Sequence, residues 1–364
     1  MFSSLDHAYD WSNAERSAKG GMTEIEIPRG REAMQGRQNL SPKRLVRRFA
    51  PGFGRGRGTD FVRPFAKPGR APWRAARHLG SLGRLGDLEA RLARSPAEIR
   101  RSQALRYHVF YEEMSAVGDA ETHLRRRDAD AYDLICDHLL VLDHAVPRRP
   151  FLRSKPEIVG TYRLLRQEIA ELNGGFYSAG EYDIAPLVSR YAHLNFLELG
   201  RSCVLKPYRD KRTVELLWHG VWSYILLHQV DVMFGCASFA GTDPEKLALP
   251  LSFLHHHARA PEEWNVSALP ERYVDMNRMA KEEIDPRAAL RELPPLIKGY
   301  LRLGAYIGDG AVVDYQFGTT DIMIILPVSA LNPRYVNHFG NDAERYGASQ
   351  PMARRRFPLR RNLT

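Results

Sequence analysis

Leu194-Asn-Phe-Leu-Glu198-Leu-Gly-Arg201-Ser-Cys-Val-Leu-Lys206-Pro-Tyr-Arg209-Asp-Lys211-Arg212-Thr213, continued by an apolar-periodic run to Ile225-Leu-Leu227, is the stretch that decides how this chain folds. Residues 194–205 are largely apolar and predict a buried strand that carries one carboxylate and one guanidinium, Glu198 and Arg201. A short cationic turn from Lys206 to Arg212 leads directly into residues 213–228, whose spacing predicts an amphipathic helix. Strand, turn and helix N-terminus together form an anion-binding geometry, because the first helical amides and the positive helix end face the turn. Lys206, Arg209, Lys211, Arg212 and Thr213 are therefore candidates for holding a phosphate. Glu198 and Arg201 add an acid-base group and a clamp beside it, which suits transfer of a group held on a phosphorylated carrier. One condition attaches: residues three apart on a regular strand point to opposite faces, so both serve one site only where the strand splays or bulges.

Outward from this stretch the chain reads as alternating helices and strands. Ile99 to Glu113 has a helical period, with Arg106 and Phe110 on one face. His138 to Asp143 predicts a buried strand, Pro147 to Pro156 a turn of the kind found at a hairpin end, and Ile158 to Leu165 the returning strand. Strand 194–205, helix 213–228 and strand Asp231–Phe239 form a strand-helix-strand unit, parallel by the handed-crossover rule. Residues 245–305 read as helical and Pro-punctuated, and Asp321 to Leu326 as a final strand closing the sheet.

The 364 residues, 44% apolar and 26% charged, suit a globular protein with ample core. No run approaches the ~20 apolar residues of a membrane-spanning helix, and Met-Phe-Ser-Ser-Leu-Asp-His lacks the layout of a secretory signal, so a cytoplasmic location is expected. Cys136, Cys203 and Cys236 stand singly in apolar stretches and read as buried thiols. The net charge of +10 resides entirely in residues 1–86, which hold 17 Lys/Arg against 7 Asp/Glu, so the basic balance does not mark the folded part as a nucleic-acid binder. From Lys43 to Arg84, twelve basic residues face one acid and are interleaved with Phe49, Phe53, Phe61, Phe65 and Trp73. That pattern suits an anionic membrane surface, with RNA or a merely solvated arm as the other readings.

Several motifs carry a family resemblance. Arg106-x-x-Val109-Phe110, Asp130-x-x-Asp133, Tyr162-Arg163-Leu-Leu165 and Glu198-x-x-Arg201 stand in the order and spacing of acyl-homoserine-lactone synthases, relatives of the GCN5-type N-acetyltransferases. The chain resembles the L-ornithine Nα-acyltransferases of ornithine-lipid synthesis more closely. Shared with them are Cys136-Asp137-His138, Gly175-Phe-Tyr177-Ser178-Ala-Gly-Glu181-Tyr-Asp183, Glu198-Leu-Gly-Arg201-Ser-Cys, Phe234-Gly-Cys-Ala-Ser238, Leu293-Pro-Pro-Leu-Ile-Lys-Gly-Tyr300 and Thr319-Thr-Asp321. The resemblance spans roughly residues 95–335.

It implies an α/β (α+β) fold of the GCN5-related N-acyltransferase type: a mixed, mostly antiparallel sheet with helices on both faces, opened at strand 194–205. Residues 87–335 would form the acyltransferase domain, residues 1–86 a basic, largely disordered extension, and residues 336–364 a mobile Arg-rich tail. The implied reaction moves a 3-hydroxyacyl chain from the 4′-phosphopantetheine of acyl carrier protein to the α-amine of L-ornithine. Its product is lyso-ornithine lipid, and no bound cofactor or metal is needed. Glu198 and Arg201 are the catalytic candidates, a carboxylate being able to take the amine proton directly or through water; a strand-locking ion pair is the alternative. Ornithine brings two ammonium groups and a carboxylate, which Asp130 and Asp133, and Arg106 or Arg163, would hold. The alternative for those four is a structural ion-pair cluster. The turn 206–213 departs from the glycine-rich loop of coenzyme A users, and its cations also suit the acidic surface of acyl carrier protein.

Other acceptors (glutamine, glycine), a lactone-forming synthase, and a non-catalytic membrane or RNA adaptor acting through the basic arm are the competing readings. His255-His256-His257 does not read as a metal site, since consecutive helical residues diverge by about 100°. His138 reads as a core histidine, and Thr319-Thr-Asp321 has no assignable role.

Overall fold

The computed structural model describes residues 79–145 and 155–331. Most of the basic arm, nearly all of the 147–156 turn and the 336–364 tail lie outside the described residues.

Eight strands form one sheet: β1 (Gly83–Leu85), β2 (Leu88–Leu92), β3 (Asp137–Asp143), β4 (Glu157–Arg166), β5 (Phe196–Val204), β6 (Val232–Ala240), β7 (Tyr306–Asp314) and β8 (Thr319–Pro327). Their order is β1-β2-β3-β4-β5-β6-β8-β7, and every neighbouring pair is antiparallel except β5 and β6. The helices, in chain order, are α1 (Pro96–Tyr107), α2 (Ala120–Arg125), α3 (Gln167–Leu172), α4 (Ala185–Arg190), α5 (Lys211–His228), α6 (Ala248–His257), α7 (Pro286–Glu292) and α8 (Pro295–Leu303).

Alternation along the strands divides the core between two faces. Leu197 and Leu199 of β5 pack with Leu139, Met233, Ile322 and Ile324 beneath Leu216 and Val221 of α5 and Ile297 of α8. Phe196, by contrast, packs with Phe234, Met323 and Ile325 beneath Ala170 of α3 and Leu187 of α4. Helices therefore cover both faces. The connection α5 is the crossover that makes β5 and β6 parallel. It lies close to the sheet because position 220 is glycine: a Cβ there would sit 3.0 Å from a Leu139 methyl and 3.3 Å from the Ala90 Cβ. Asp210 caps the helix by accepting from the Thr213 amide at 2.8 Å.

Several expectations change. The helix begun at Pro96 runs on from His108 to Glu113 with wider, π-helical bonding. The stretch 245–305 is only partly helical: between α6 and α7, residues 258–285 are largely irregular and reach the sheet through isolated bridges such as Val274 to Ala311. The strand at 321–326 does not lie at an edge, because β7 pairs outside it. Strand β7 itself was hidden in the sequence by Gly308 and Gly310, which interrupt its apolar alternation where its register with β8 shifts. The β1–β2 hairpin was hidden too, since its buried Arg91 and Glu89 mimic a polar segment. Arg91 is neutralised by Glu98 at 2.6 Å, and Glu89 pairs with Arg84 at 3.2 Å and hydrogen-bonds His144 at 2.8 Å.

Candidate active site

Strands β5 and β6 share three register pairs, Phe196–Val232, Leu197–Met233 and Glu198–Phe234, and then part. Beyond that vertex β5 stays with β4 and β6 with β8, so the sheet opens as a V. Gly235 permits the close approach at the vertex: a Cβ there would lie 2.2 Å from the Leu199 carbonyl oxygen. The opening holds a cavity of about 470 Å³, lined by Arg163, Tyr177, Ser178, Glu181, Glu198, Arg201, Cys203, Cys236, Asp314 and Asp321 among others. Val109, Phe110, Met114 and Leu296 supply apolar wall.

A bulge in β5 brings Glu198 and Arg201 to the same side. Gly200 pairs with Arg163 and Cys203 with Thr161, so Arg201 and Ser202 together oppose Tyr162 alone. Arg201 takes φ of 50°, the left-handed region, which for a non-glycine residue costs on the order of 1 kcal/mol. The guanidinium returns stabilising contacts: it lies 5.0 Å over the Tyr177 ring and 4.5 Å over Phe317, and donates to the Tyr177 hydroxyl at 3.1 Å.

Glu198 is 4% exposed. Its carboxylate accepts from the Tyr177 amide at 2.8 Å, the Ser178 amide at 2.7 Å and the Ser178 hydroxyl. Burial pushes its pKa above the ordinary glutamate value, and the Ser178 and Tyr177 donors moderate that rise. A carboxylate offers about four lone-pair sites, so one acceptor position remains after these three bonds.

Arg201 interlocks with two further arginines and three aspartates. Arg106 pairs with Asp128 at 2.7 Å and Asp133 at 2.8 Å; Arg163 binds Asp130 at 2.6 Å; Arg201 lies 3.4 Å from Asp128 and 3.6 Å from Asp130. Asp130 and Asp133 also form a reciprocal capping box on the turn Ala131–Leu134. Burial alone would raise the Asp133 pKa, but the Arg106 guanidinium holds it well below the carboxylate range. Of the four residues expected to grip the acceptor, only Arg163 is on the cavity wall. Arg106 and Asp133 are buried and occupied with each other, and Asp130 is engaged by Arg163. Asp137 is separate from them and accepts from Tyr224 of α5 at 2.7 Å.

The cationic turn does not converge on the cavity as a group. Arg209 is on its wall, donating to the Val204 carbonyl at 2.9 Å and pairing with Glu113 at 2.6 Å. Lys206, Lys211 and Arg212 are exposed; Lys211 lies 3.6 Å from Glu215, and Arg212 reaches the Leu85 carbonyl at 3.4 Å. Thr213 is buried, with its amide committed to Asp210. A carboxylate thus stands where the amide-lined phosphate cradle was expected.

The three thiols are free, and burial pushes all of them upward, so none is an activated nucleophile. His138 is buried, bonds the Asp133 carbonyl through Nε2 at 3.0 Å, and is pushed down to about 4 by burial. His256 bonds the Met279 carbonyl and His257 stacks on Phe253, so the histidine run does not converge. Residues without an assigned role at the sequence level also meet here: Tyr177 and Ser178, which hold Glu198; Asp128, which pairs with Arg201; and Glu181, Asp314 and Asp321, whose oxygens lie within 4.8 Å of one another. Tyr177, Ser178 and Glu181 stand in one of the shared motifs, the only signal that preceded their geometry.

Residues 105–219 match the acetyltransferase (GNAT) domain model, and the mixed sheet opened between β5 and β6 is of that type. The chain is 57% identical over 267 residues to an L-ornithine N(alpha)-acyltransferase of Rhizobium meliloti (strain 1021), covering 73% of this chain and 89% of the relative. It is 55% identical to one of Brucella abortus (strain 2308), covering 73% and 93%, and 42% identical to one of Rhodobacter capsulatus, covering 71% and 97%. Among solved structures it is similar to an N-acyl amino acid synthase from uncultured soil microbes, at 13% identity and TM-score 0.36 over 68% of this chain and 97% of that one. The sequence relatives, at this identity and coverage, place the chain in the L-ornithine Nα-acyltransferase family of N-acyltransferases.

Proposed function

We propose that this enzyme moves a 3-hydroxyacyl chain from acyl carrier protein to the α-amine of L-ornithine and releases lyso-ornithine lipid. The names of the relatives support the acceptor. The observation that carries the chemistry is the placement of Glu198 and Arg201 on one wall of the cavity between the parted strands.

In this reading the pantetheine arm enters the V and the acyl chain lies along Val109, Phe110, Met114 and Leu296. Glu198 uses its remaining acceptor site to take a proton from the α-ammonium, directly or through a water molecule. The free amine attacks the thioester carbon, and the carbonyl oxygen gains charge against the strand edge left unpaired beyond Glu198. Collapse breaks the C–S bond, forms the amide and expels the thiol, with the amine's second proton balancing the thiolate. Arg201 holds the acceptor's carboxylate, with Arg163 beside it. Attack is direct, without an acyl-enzyme, and needs no bound cofactor. The exposed Lys206, Lys211 and Arg212, with Arg209, face the acidic carrier, and residues 43–84 bring the enzyme to anionic lipid. No helix among the described residues is long and apolar enough to cross a membrane.

The test is acyl transfer by the purified full chain from 3-hydroxyacyl carrier protein to ornithine, glutamine or glycine. Transfer to ornithine no better than to the other two would refute the acceptor. Turnover unchanged in Glu198→Gln would refute the base.

A further inference from the structure

We propose that Glu181, Asp314 and Asp321, with Thr319, form the pocket for the side-chain ammonium of the acceptor, and so select a diamino acid over other amino acids. This deepens the proposed function and rests on it. The three carboxylates come from separate elements, the turn before Tyr182, the end of β7 and the start of β8, yet their oxygens lie within 4.8 Å of one another on the cavity wall. Such a concentration of carboxylates, two of them buried, is relieved either by protonation or by a cation. Arg272 supplies part of one, 3.6 Å from Glu181.

An independent observation points to a missing ligand. Asp321 is 7% exposed and faces the cavity; the Ser238 and Thr319 hydroxyls are near enough to its carboxyl to lower its pKa, yet its buried Oδ1 and the buried Thr319 Oγ1 make no hydrogen bond of ordinary length and angle. Two under-satisfied buried oxygens beside two more carboxylates are complementary to a three-donor ammonium. Burial and the nearby Asp321 push Glu181 up to about 7, with the Cys236 hydrogen bond and Arg272 offsetting only part of the rise.

The spacing to the reacting centre also fits. Glu198 accepts from the Ser178 hydroxyl, and the Cys236 thiol, which Ser178 also approaches, lies 3.3 Å from Glu181. Ser178 and Cys236, both small, thus link the base to the acidic pocket. An ornithine skeleton, with roughly 6 Å between its two nitrogens from standard bond lengths, bridges them while its methylenes pass Cys236.

The experiment compares ornithine with norvaline, the same carbon skeleton without the terminal ammonium, using full-length wild type, Asp321→Asn and Glu181→Gln. The wild type is expected to favour ornithine in kcat/KM by about 10⁴-fold, as a site built around a buried polar contact does. In either variant that preference falls about tenfold or more, chiefly through KM for ornithine. Partial misfolding lowers both substrates together and leaves the ratio intact, so the readout survives it. A preference unchanged in both variants overturns the pocket while leaving ornithine as acceptor. Activity abolished by EDTA, restored by Mg²⁺, and needing more Mg²⁺ in Asp321→Asn overturns it in favour of a divalent cation. Wild type that acylates no ornithine overturns the pocket and the functional reading together.

Discussion

Tyr177 holds Arg201 twice over: its hydroxyl accepts from the guanidinium at 3.1 Å, and its ring lies 5.0 Å beneath it. Its amide, meanwhile, is bonded to Glu198 at 2.8 Å. Tyr177→Phe removes one of these links and keeps the stack and the amide, so kcat/KM should fall about five- to tenfold, corresponding to roughly 1 kcal/mol of positioning. Tyr177→Ala removes the ring as well and should cost more. Steady-state kinetics of the two variants would show whether the ring or the hydroxyl dominates.

The pH profile should report Glu198. Because burial raises its pKa, the base stays protonated to a higher pH than an ordinary glutamate, and the acid limb of kcat/KM should lie above 4.5 in apparent pKa. That limb should disappear from the residual activity of Glu198→Gln. A limb of unchanged position in the variant would assign it to another group.

Stability should move with pH through Glu181. Its folded pKa of about 7 lies above the 4.5 of the free side chain, so the native state binds the proton more tightly than the unfolded chain. The stabilisation is full below pH 4.5 and is lost as pH rises through about 7, on the order of 3 kcal/mol. Asp133 has the opposite sign: its depressed pKa makes its contribution present near neutrality and lost in strong acid. Urea midpoints at pH 5 and pH 8 should therefore differ less in Glu181→Gln than in wild type.

At the vertex, Gly235→Ala sets a methyl 2.2 Å from the Leu199 carbonyl. The β5–β6 junction has to open to admit it, at a cost of about 3 kcal/mol. Denaturant unfolding measures the loss, and activity should fall with it, since the same junction fixes Glu198.

Arg106 and Arg209 should separate stability from carrier recognition. Arg106→Ala takes from the buried Asp128 and Asp133 their nearest cation, leaving only the longer pairs with Arg201 and Arg163, and should destabilise by about 3 kcal/mol. Arg209→Ala, at an exposed pair with Glu113, should leave the thermal midpoint nearly unchanged. Its effect should be a raised KM for acyl carrier protein, strongest at low salt. A short acyl-pantetheine thioester should be less affected, and comparison of the two donors checks this.

The strand-helix-strand unit at 196–240 was legible because apolar runs, a cationic turn and a helical period followed one another without interruption. The need for a bulge or splay was legible as well, since Glu198 and Arg201 are three residues apart on a strand; the structure has both devices. What escaped was of two kinds. Strands β1, β2 and β7 were masked by glycines and by charged residues whose burial depends on partners elsewhere in the chain. The acidic pocket was masked by distance, since residues 181, 314 and 321 meet only after β7 and β8 have folded against β6. Asp128 was hidden in a run of arginines that reads as a solvated loop.

With only three rungs joining β5 to β6, the described sheet is a five-stranded and a three-stranded half sharing a short seam. A thioester arm laid between the halves would act as a surrogate strand, supplying the rungs the protein omits. Substrate capture and mechanical completion of the sheet then become one event, and amides along the two open margins should exchange with solvent more slowly once the arm is in place.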